Sequence, residues 1–147
     1  MDLEQLRACA GGEIAVTDWL EITEERINQF ADATEDHQWI HVDRDRAQLQ
    51  SPYGTTIAHG FLTLSLLPRF LHEAIQLTGI RMAINYGLNR VRFPSAVRAG
   101  SRIRARIVLQ SIREVADATE AAFSVTIECE GSQKPCCVAE MLARYYR

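Results

Sequence analysis

The chain has 147 residues, 47% apolar and 24% charged, which suits one globular unit with a single core and excludes a disordered or low-complexity polymer. A formal net charge of −3 argues against nucleic acid, whose phosphates demand clustered Lys and Arg. No stretch approaches the ~20 uninterrupted apolar residues of a membrane-spanning helix, and MDLEQLRACAGGE carries early acids instead of a secretion signal's apolar segment, so a cytoplasmic protein with no membrane partner is expected.

In chain order, the first strong helix signal is EITEERINQFADAT. Thr23 can cap the free amides, Glu24 and Glu25 suit the positive end of the dipole, and Ile22 and Ile27 occupy the positions of a hydrophobic staple. Ile27, Phe30 and Ala31 then make its buried stripe. After a polar knot, ATEDHQWIHVD, Asp43 can cap a second helix through RDRAQLQ, which SPYG at 51–54 ends in a turn. From Ile57 to Leu77 the chain is apolar on nearly every side, Phe61, Leu62, Leu64, Leu66, Leu67, Phe70, Leu71 and Ile75 included, so a helix there has to be surrounded by protein. Pro68 predicts a kink or restart within it, and Gly79 its end.

Beyond Gly79 the period falls to two. Ile103, Ala105, Ile107 and Leu109 alternate with Arg102, Arg104 and Arg106, and Phe123, Val125, Ile127 and Cys129 alternate with polar residues, as in half-buried antiparallel strands. RMAINYGLNRVRF and KPCCVAEMLARYYR read as two more strands, with FPSAVRAGS and EVADATE as connections. A buried helix followed by long antiparallel strands predicts a sheet curled around that helix, an α+β hotdog fold spanning 1–147 as one domain. Its open edges predict a homodimer. Cys9, Cys129, Cys136 and Cys137 hold no Cys-x-x-Cys and read as reduced thiols, Cys129 within the core. Arg81, Arg90, Arg92, Arg98, Arg102, Arg104 and Arg106 form either a solvated strand face or a dock for a phosphate-bearing small molecule.

Two constellations can carry chemistry. Asp36 and His41 stand five apart in a stretch read as non-helical, where a turn can bring a carboxylate and an imidazole to one water molecule; the alternative is a loop-capping Asp and a packed His. His37 and His41 have an i, i+4 spacing that could suggest a metal, but Gln38 stands where a zinc-protease helix needs Glu and no third ligand is apparent, so no metal is expected. His59 and Gly60 fall at the entrance of the apolar helix, where unpartnered amides can hold a negative oxygen, or where Gly60 merely permits close packing. Ser65 on the same helix can face an acyl chain or bond within the helix.

The run FADATEDHQWIHVDRDRA resembles the hydratase motif of MaoC-like dehydratases, the (R)-specific enoyl-CoA hydratases: Asp-x-Asn-Pro-aliphatic-His, with Ala or Ser six residues on. Asp36, Ile40, His41 and Ala47 match it, while Gln38 replaces Asn, Trp39 replaces Pro and Glu35 stands where Gly is common. DHQWIHVD followed by SPYGTTIAHGFLTLSLLP, and NYGLNRVRFPSAVRAGSRIR beyond, are similar to the nodulation protein N branch. The resemblance implies a hotdog homodimer and reversible syn addition of water to the trans-2,3 double bond of an acyl-CoA thioester, without metal or redox cofactor. Carried over by position, Asp36 and His41 form the acid/base pair and the Gly60 amide polarises the thioester carbonyl. The competing functions are a hotdog thioesterase and a non-catalytic acyl-binding module.

Overall fold

The N-terminal helix α1 (Leu3–Ala8) arises from a capping box: Asp2 accepts from the amide of Gln5, and the Gln5 side chain accepts from that of Asp2. Its buried Leu3 and Leu6 join the core, so this stretch is a structural element that the sequence reading left out. Two short strands, β1 (Glu13–Val16) and β2 (Leu20–Glu21), follow it, both also absent from that reading. The Thr23 hydroxyl then accepts from the amide of Arg26, and α2 (Glu24–Thr34) begins as expected, with Ile22 and Ile27 fully buried as its staple. The structure, a computed structural model, describes residues 1–147.

Helix α2 ends at Glu35, which takes the left-handed conformation at φ 60° and ψ 22°. Next come a one-turn helix, α3 (Trp39–Val42), and α4 (Arg44–Gln50), the latter capped by Asp43 through the amide of Arg46. His41 therefore sits on a helical turn, in contrast to the non-helical stretch read from sequence. The long helix foreseen from Ile57 to Leu77 is shorter and divided. Ile57 is extended and bridged to Arg98; α5 (Gly60–Ser65) starts at Gly60, and α6 (Leu67–Ala74) restarts beyond Leu66 with Pro68 in its first turn. The end falls at Ala74, well before Gly79, whose φ of 72° belongs to the turn into the next strand. Burial is also one-sided: Leu62, Leu66, Leu67, Phe70 and Leu71 face the core, but Phe61 is 70% exposed.

The strands β3 (Met82–Arg92), β4 (Arg102–Val115), β5 (Ala118–Cys129) and β6 (Cys137–Tyr146) complete one antiparallel sheet in the order β1-β4-β5-β6-β3, with β2 also on β4. Only Ala116 and Asp117 join β4 to β5, so most of EVADATE is strand and not connection. A register shift between Leu109 and Ser111 hides the alternation there. Ile103, Ala105, Ile107, Leu109, Phe123, Val125 and Ile127 line the inner face against α5 and α6, forming with them one core of 27 buried residues. Cys129, Cys136 and Cys137 are buried within it as free thiols, and burial pushes Cys136 up to about 12 and Cys137 up to about 11. Strand β3 is the sheet's edge and is exposed along most of its length, Met82, Ile84, Tyr86 and Leu88 included. No helix is long and apolar enough to cross a membrane.

Candidate active site

Two extended segments cross beneath α3. The amide of Ile57 donates to the carbonyl of Ile40, and that of Ala58 donates to Val97, so the chain enters α5 pinned between α3 and the segment behind β3. This fixes the direction of the Ile57 carbonyl, which accepts a 2.7 Å bond from Nδ1 of the buried His41. A carbonyl can only accept, so Nδ1 carries the proton and Nε2 keeps its lone pair. Burial lowers the pKa of His41 below the usual imidazole value; the bond to Ile57 opposes this, His59 adds to it and Asp36 works against it.

His59 is 3% exposed and its ring lies between two others. It stacks on His41 with centroids 3.8 Å apart and an interplanar angle of 22°, and meets Phe30 on a tilt at 5.0 Å. Its Nε2 donates to the backbone carbonyl of Asp36 at 2.9 Å, while Nδ1 is buried without a protein partner. Nε2 lies 3.9 Å from the Asp36 carboxylate, which is half exposed and accepts weakly from the amide of Gln38 at 3.4 Å. Asp36, His41 and His59 thus bring ligand-capable atoms within 4.8 Å of one another. The third group is His59, which the sequence reading did not join to the pair; His37, at i, i+4 spacing from His41, turns away to Asp32 at 2.9 Å. Two stacked rings, each with one nitrogen committed to a carbonyl, send their remaining in-plane lone pairs along separate lines. That geometry fits handling of protons better than convergence on one metal ion.

His41 opens into a cavity of about 280 Å³ that is also lined by Gly60, Thr63, Tyr53, Phe93 and Cys136. Gly60 begins α5, where His59 gives no side-chain cap, so the first-turn amides are free of one. A Cβ at Gly60 would come within 3.1 Å of the Phe93 ring, so the glycine permits an aromatic cover over the helix tip. The N–H of His59 is spent on Asp36, so the ring offers the cavity no donor of its own. Ser65 lies elsewhere: it is exposed, donates to the carbonyl of Leu62 at 2.7 Å, and borders a separate cavity of about 360 Å³ with Leu64, Pro68, Leu88 and Met141. Thr63 was overlooked in sequence although its i+3 spacing from Gly60 puts both on one helical face. Phe93 and Tyr53 gave no such signal, since only the folded loops carry them to the cavity.

Residues 7–129 match the MaoC like domain. The chain belongs to the MaoC-like family. It is 54% identical over 141 residues to 3-hydroxyacyl-thioester dehydratase Z of Mycobacterium tuberculosis, covering 95% of this chain and 93% of the relative. Nodulation protein N of Rhizobium meliloti is 43% identical, with 97% and 90% of the two chains covered. Among solved structures, the (R)-hydratase from A. caviae involved in PHA biosynthesis superposes with a TM-score of 0.74 at 22% identity, over 90% of this chain and 93% of that one. The MaoC-like dehydratase from Rhodospirillum rubrum gives 0.78 at 18%, over 100% and 98%. At such identities the superpositions establish the hotdog fold.

Two departures of this MaoC-like chain from the motif, Trp39 and Glu35, and one match, Ala47, have local explanations, and the replacement of Asn by Gln38 has none in the structure. Proline suits the first position of a helix; here Trp39 holds that position, and the Arg46 guanidinium lies 4.3 Å over its ring. Glu35 adopts the left-handed backbone that glycine would take without strain. Ala47 is fully buried on α4, where a larger side chain would push α4 from its seat.

Proposed function

We propose that this chain is a hydro-lyase acting on acyl thioesters, an (R)-specific enoyl-CoA hydratase working reversibly on the trans-2,3 double bond. The observation that carries the reading is the His41 ring, held with Nε2 unprotonated at the wall of a cavity and with the Asp36 carboxylate beside it. In the hydration direction, Asp36 and His41 hold one water between them. Nε2 of His41 takes a proton as the water oxygen bonds to C3; the π electrons move toward the thioester oxygen, and the resulting enolate takes that proton from Nε2 at C2 on the same face, which returns His41 to its starting state. The amide of Gly60 at the tip of α5 meets the oxygen that gains charge, a contribution on the order of 3 kcal/mol where such a donor has been removed from other enzymes. The thioester carbonyl itself accepts the electrons, so the scheme calls for no metal or redox cofactor.

The rest of the molecule supports an acyl-CoA substrate. Cavities continue along the seam between α5–α6 and β3, from the one bordered by Ser65 to a mixed one of about 230 Å³ lined by Leu71, Ile75, Ile84 and Tyr145 together with His72 and Arg81. Arg102, Arg104 and Arg106 are taken up by Glu130, Glu128 and Glu13, whereas Arg81, Arg90, Arg92 and Arg98 have no carboxylate partner and are the better candidates for CoA phosphates. A second copy covering the exposed β3 edge with Phe61 and Phe93 would give the homodimer, testable by sedimentation.

The deciding experiment is hydration of crotonyl-CoA, followed by loss of the conjugated enoyl absorbance and by chiral analysis of the product. The (R)-3-hydroxy thioester is expected. Asp36→Asn and His41→Gln should each lower the rate at least about 100-fold with melting temperatures close to the parent's. Free CoA released from saturated acyl-CoAs would instead indicate a thioesterase, and ligand-dependent stabilisation without turnover a binding module.

A further inference from the structure

We infer that His59 is a positioning residue, whose Nε2–H holds the Asp36 peptide and whose ring holds His41 for reaction. The inference rests on the hydratase reading above, but its geometry stands apart from any activity. Residues 33–38 are exposed throughout, and the Asp36 side chain is half open to solvent, so packing does little to fix this bend. The His59 bond reaches from the interior to that bend, ending on the carbonyl of Asp36 itself. Fixing that carbonyl fixes the Asp36–His37 peptide plane that starts at the Asp36 Cα, and so restricts both the exit of the Asp36 side chain and the course of the chain to Gln38, whose amide touches the carboxylate.

The ring is as constrained as its nitrogen. Phe30 on α2 and His41 on α3 flank it, and His59 immediately precedes α5, so a single side chain ties three helices at the point where Asp36 and His41 meet. The donor role of Nε2 follows from its partner. Nε2 has to carry a proton because it faces a carbonyl, which can only accept. His59 has its Nε2–H committed to that carbonyl, and acts on the reaction through Asp36 and His41 without touching substrate. A misplacement near 1 Å of a catalytic group costs on the order of 100-fold in rate, which sets the scale of the expected loss.

Two substitutions separate the hydrogen bond from the packing. His59→Phe keeps an aromatic ring between Phe30 and His41 but has no N–H. His59→Gln gives up the ring and retains a donor at about the reach of Nε2. With crotonyl-CoA, His59→Phe should lose roughly 10- to 100-fold in kcat with KM changed less than about threefold, and His59→Gln should recover at least about tenfold over the Phe variant. In the same samples, backbone amide resonances of Asp36 to Gln38 should move in His59→Phe and stay near their parental positions in His59→Gln. In the unsubstituted protein, nitrogen-15 resonances of His59 should report a proton at Nε2 hydrogen-bonded to a carbonyl, a measurement that needs neither variant to fold. Parental kcat in His59→Phe, equal losses in both variants, or the opposite tautomer would each overturn the assignment. An unsubstituted protein that hydrates no enoyl thioester would overturn the hydratase reading instead, and the amide and nitrogen shifts would then judge the clamp alone.

Discussion

Polar groups are held in two different ways at the two ends of β5. Near Cys136 and the cavity, the imidazoles of His41 and His59 are anchored by the backbone carbonyls of Ile57 and Asp36. At the opposite end, buried Glu120 is anchored by charge, accepting from Arg113 on β4 and Arg144 on β6, and Arg144 in turn lies 3.4 Å over the ring of Tyr86. A carbonyl orients an imidazole without ionising it and leaves a lone pair free for work. Here the ions occupy both oxygens of the buried carboxylate and leave it no free acceptor toward a cavity. The first arrangement suits chemistry and the second suits stitching of strands.

The pH response should expose that contrast most strongly. Burial is the largest influence on His41 and lowers its pKa, so the neutral base persists below the usual imidazole value of ~6.5. The acid limb of kcat/KM should therefore bend below ~6.5 and then fall about tenfold per pH unit. The same depression affects folding. As pH drops through ~6.5, the unfolded chain takes up a proton that the native His41 refuses, so this group removes stability until the native value is passed. A limb bending at or above ~6.5 would show that burial does not govern the base.

Glu120 has a similar direction of shift from a different cause. Hydrogen bonds from Arg113 first and Arg144 second hold its carboxyl below the ordinary carboxylate value. Its stabilisation is present above that ordinary value and disappears as pH falls through the lower native one. Glu120→Gln should cost about 1 to 2 kcal/mol near neutrality, since two guanidinium groups lose their anion but Arg113 remains largely solvated. Urea unfolding at neutral pH against strongly acid pH checks this: the deficit should shrink in acid, and turnover near neutrality should match the parent's. Loss of activity in Glu120→Gln would mean that the two ends of the sheet are coupled.

How much of this could be read from the sequence depends on the distance over which each feature is determined. The caps at Thr23 and Asp43, the staple of Ile22 and Ile27, and the restart forced at Pro68 are local, and all appear where the residues call for them. The capping box of Asp2 and Gln5 is equally local. Helix α5 could not be bounded, because Ile57 and Ala58 are drawn into extended pairing with Ile40 and Val97 by residues far along the chain. The two candidate site groups were legible as residue types, but their arrangement was not. The stacking of His59 on His41 depends on α3 and the entry to α5 crossing, and Phe93 reaches Gly60 only after β3 has joined the sheet.

The finest test of the contrast uses one strained residue from each end. Glu35 at φ 60° turns the chain into the Asp36 bend, and Ala116 at φ 50° turns β4 into β5. Both occupy the left-handed region in which a side chain crowds the backbone and glycine does not, so replacement by Gly should relieve strain by about 1 kcal/mol, partly offset by the greater freedom of glycine in the unfolded chain. For Ala116→Gly the net should be a gain near 0.5 kcal/mol with unchanged turnover, since a two-residue hairpin favours glycine and nothing catalytic depends on it. Glu35→Gly should give a comparable gain in a melting curve. At this end, however, the turn also sets the course of the peptide that His59 holds, so a small change in kcat is expected there and none at Ala116. Equal indifference of turnover to both replacements would mean that the His59 bond alone fixes the bend, with the conformation of Glu35 following from it.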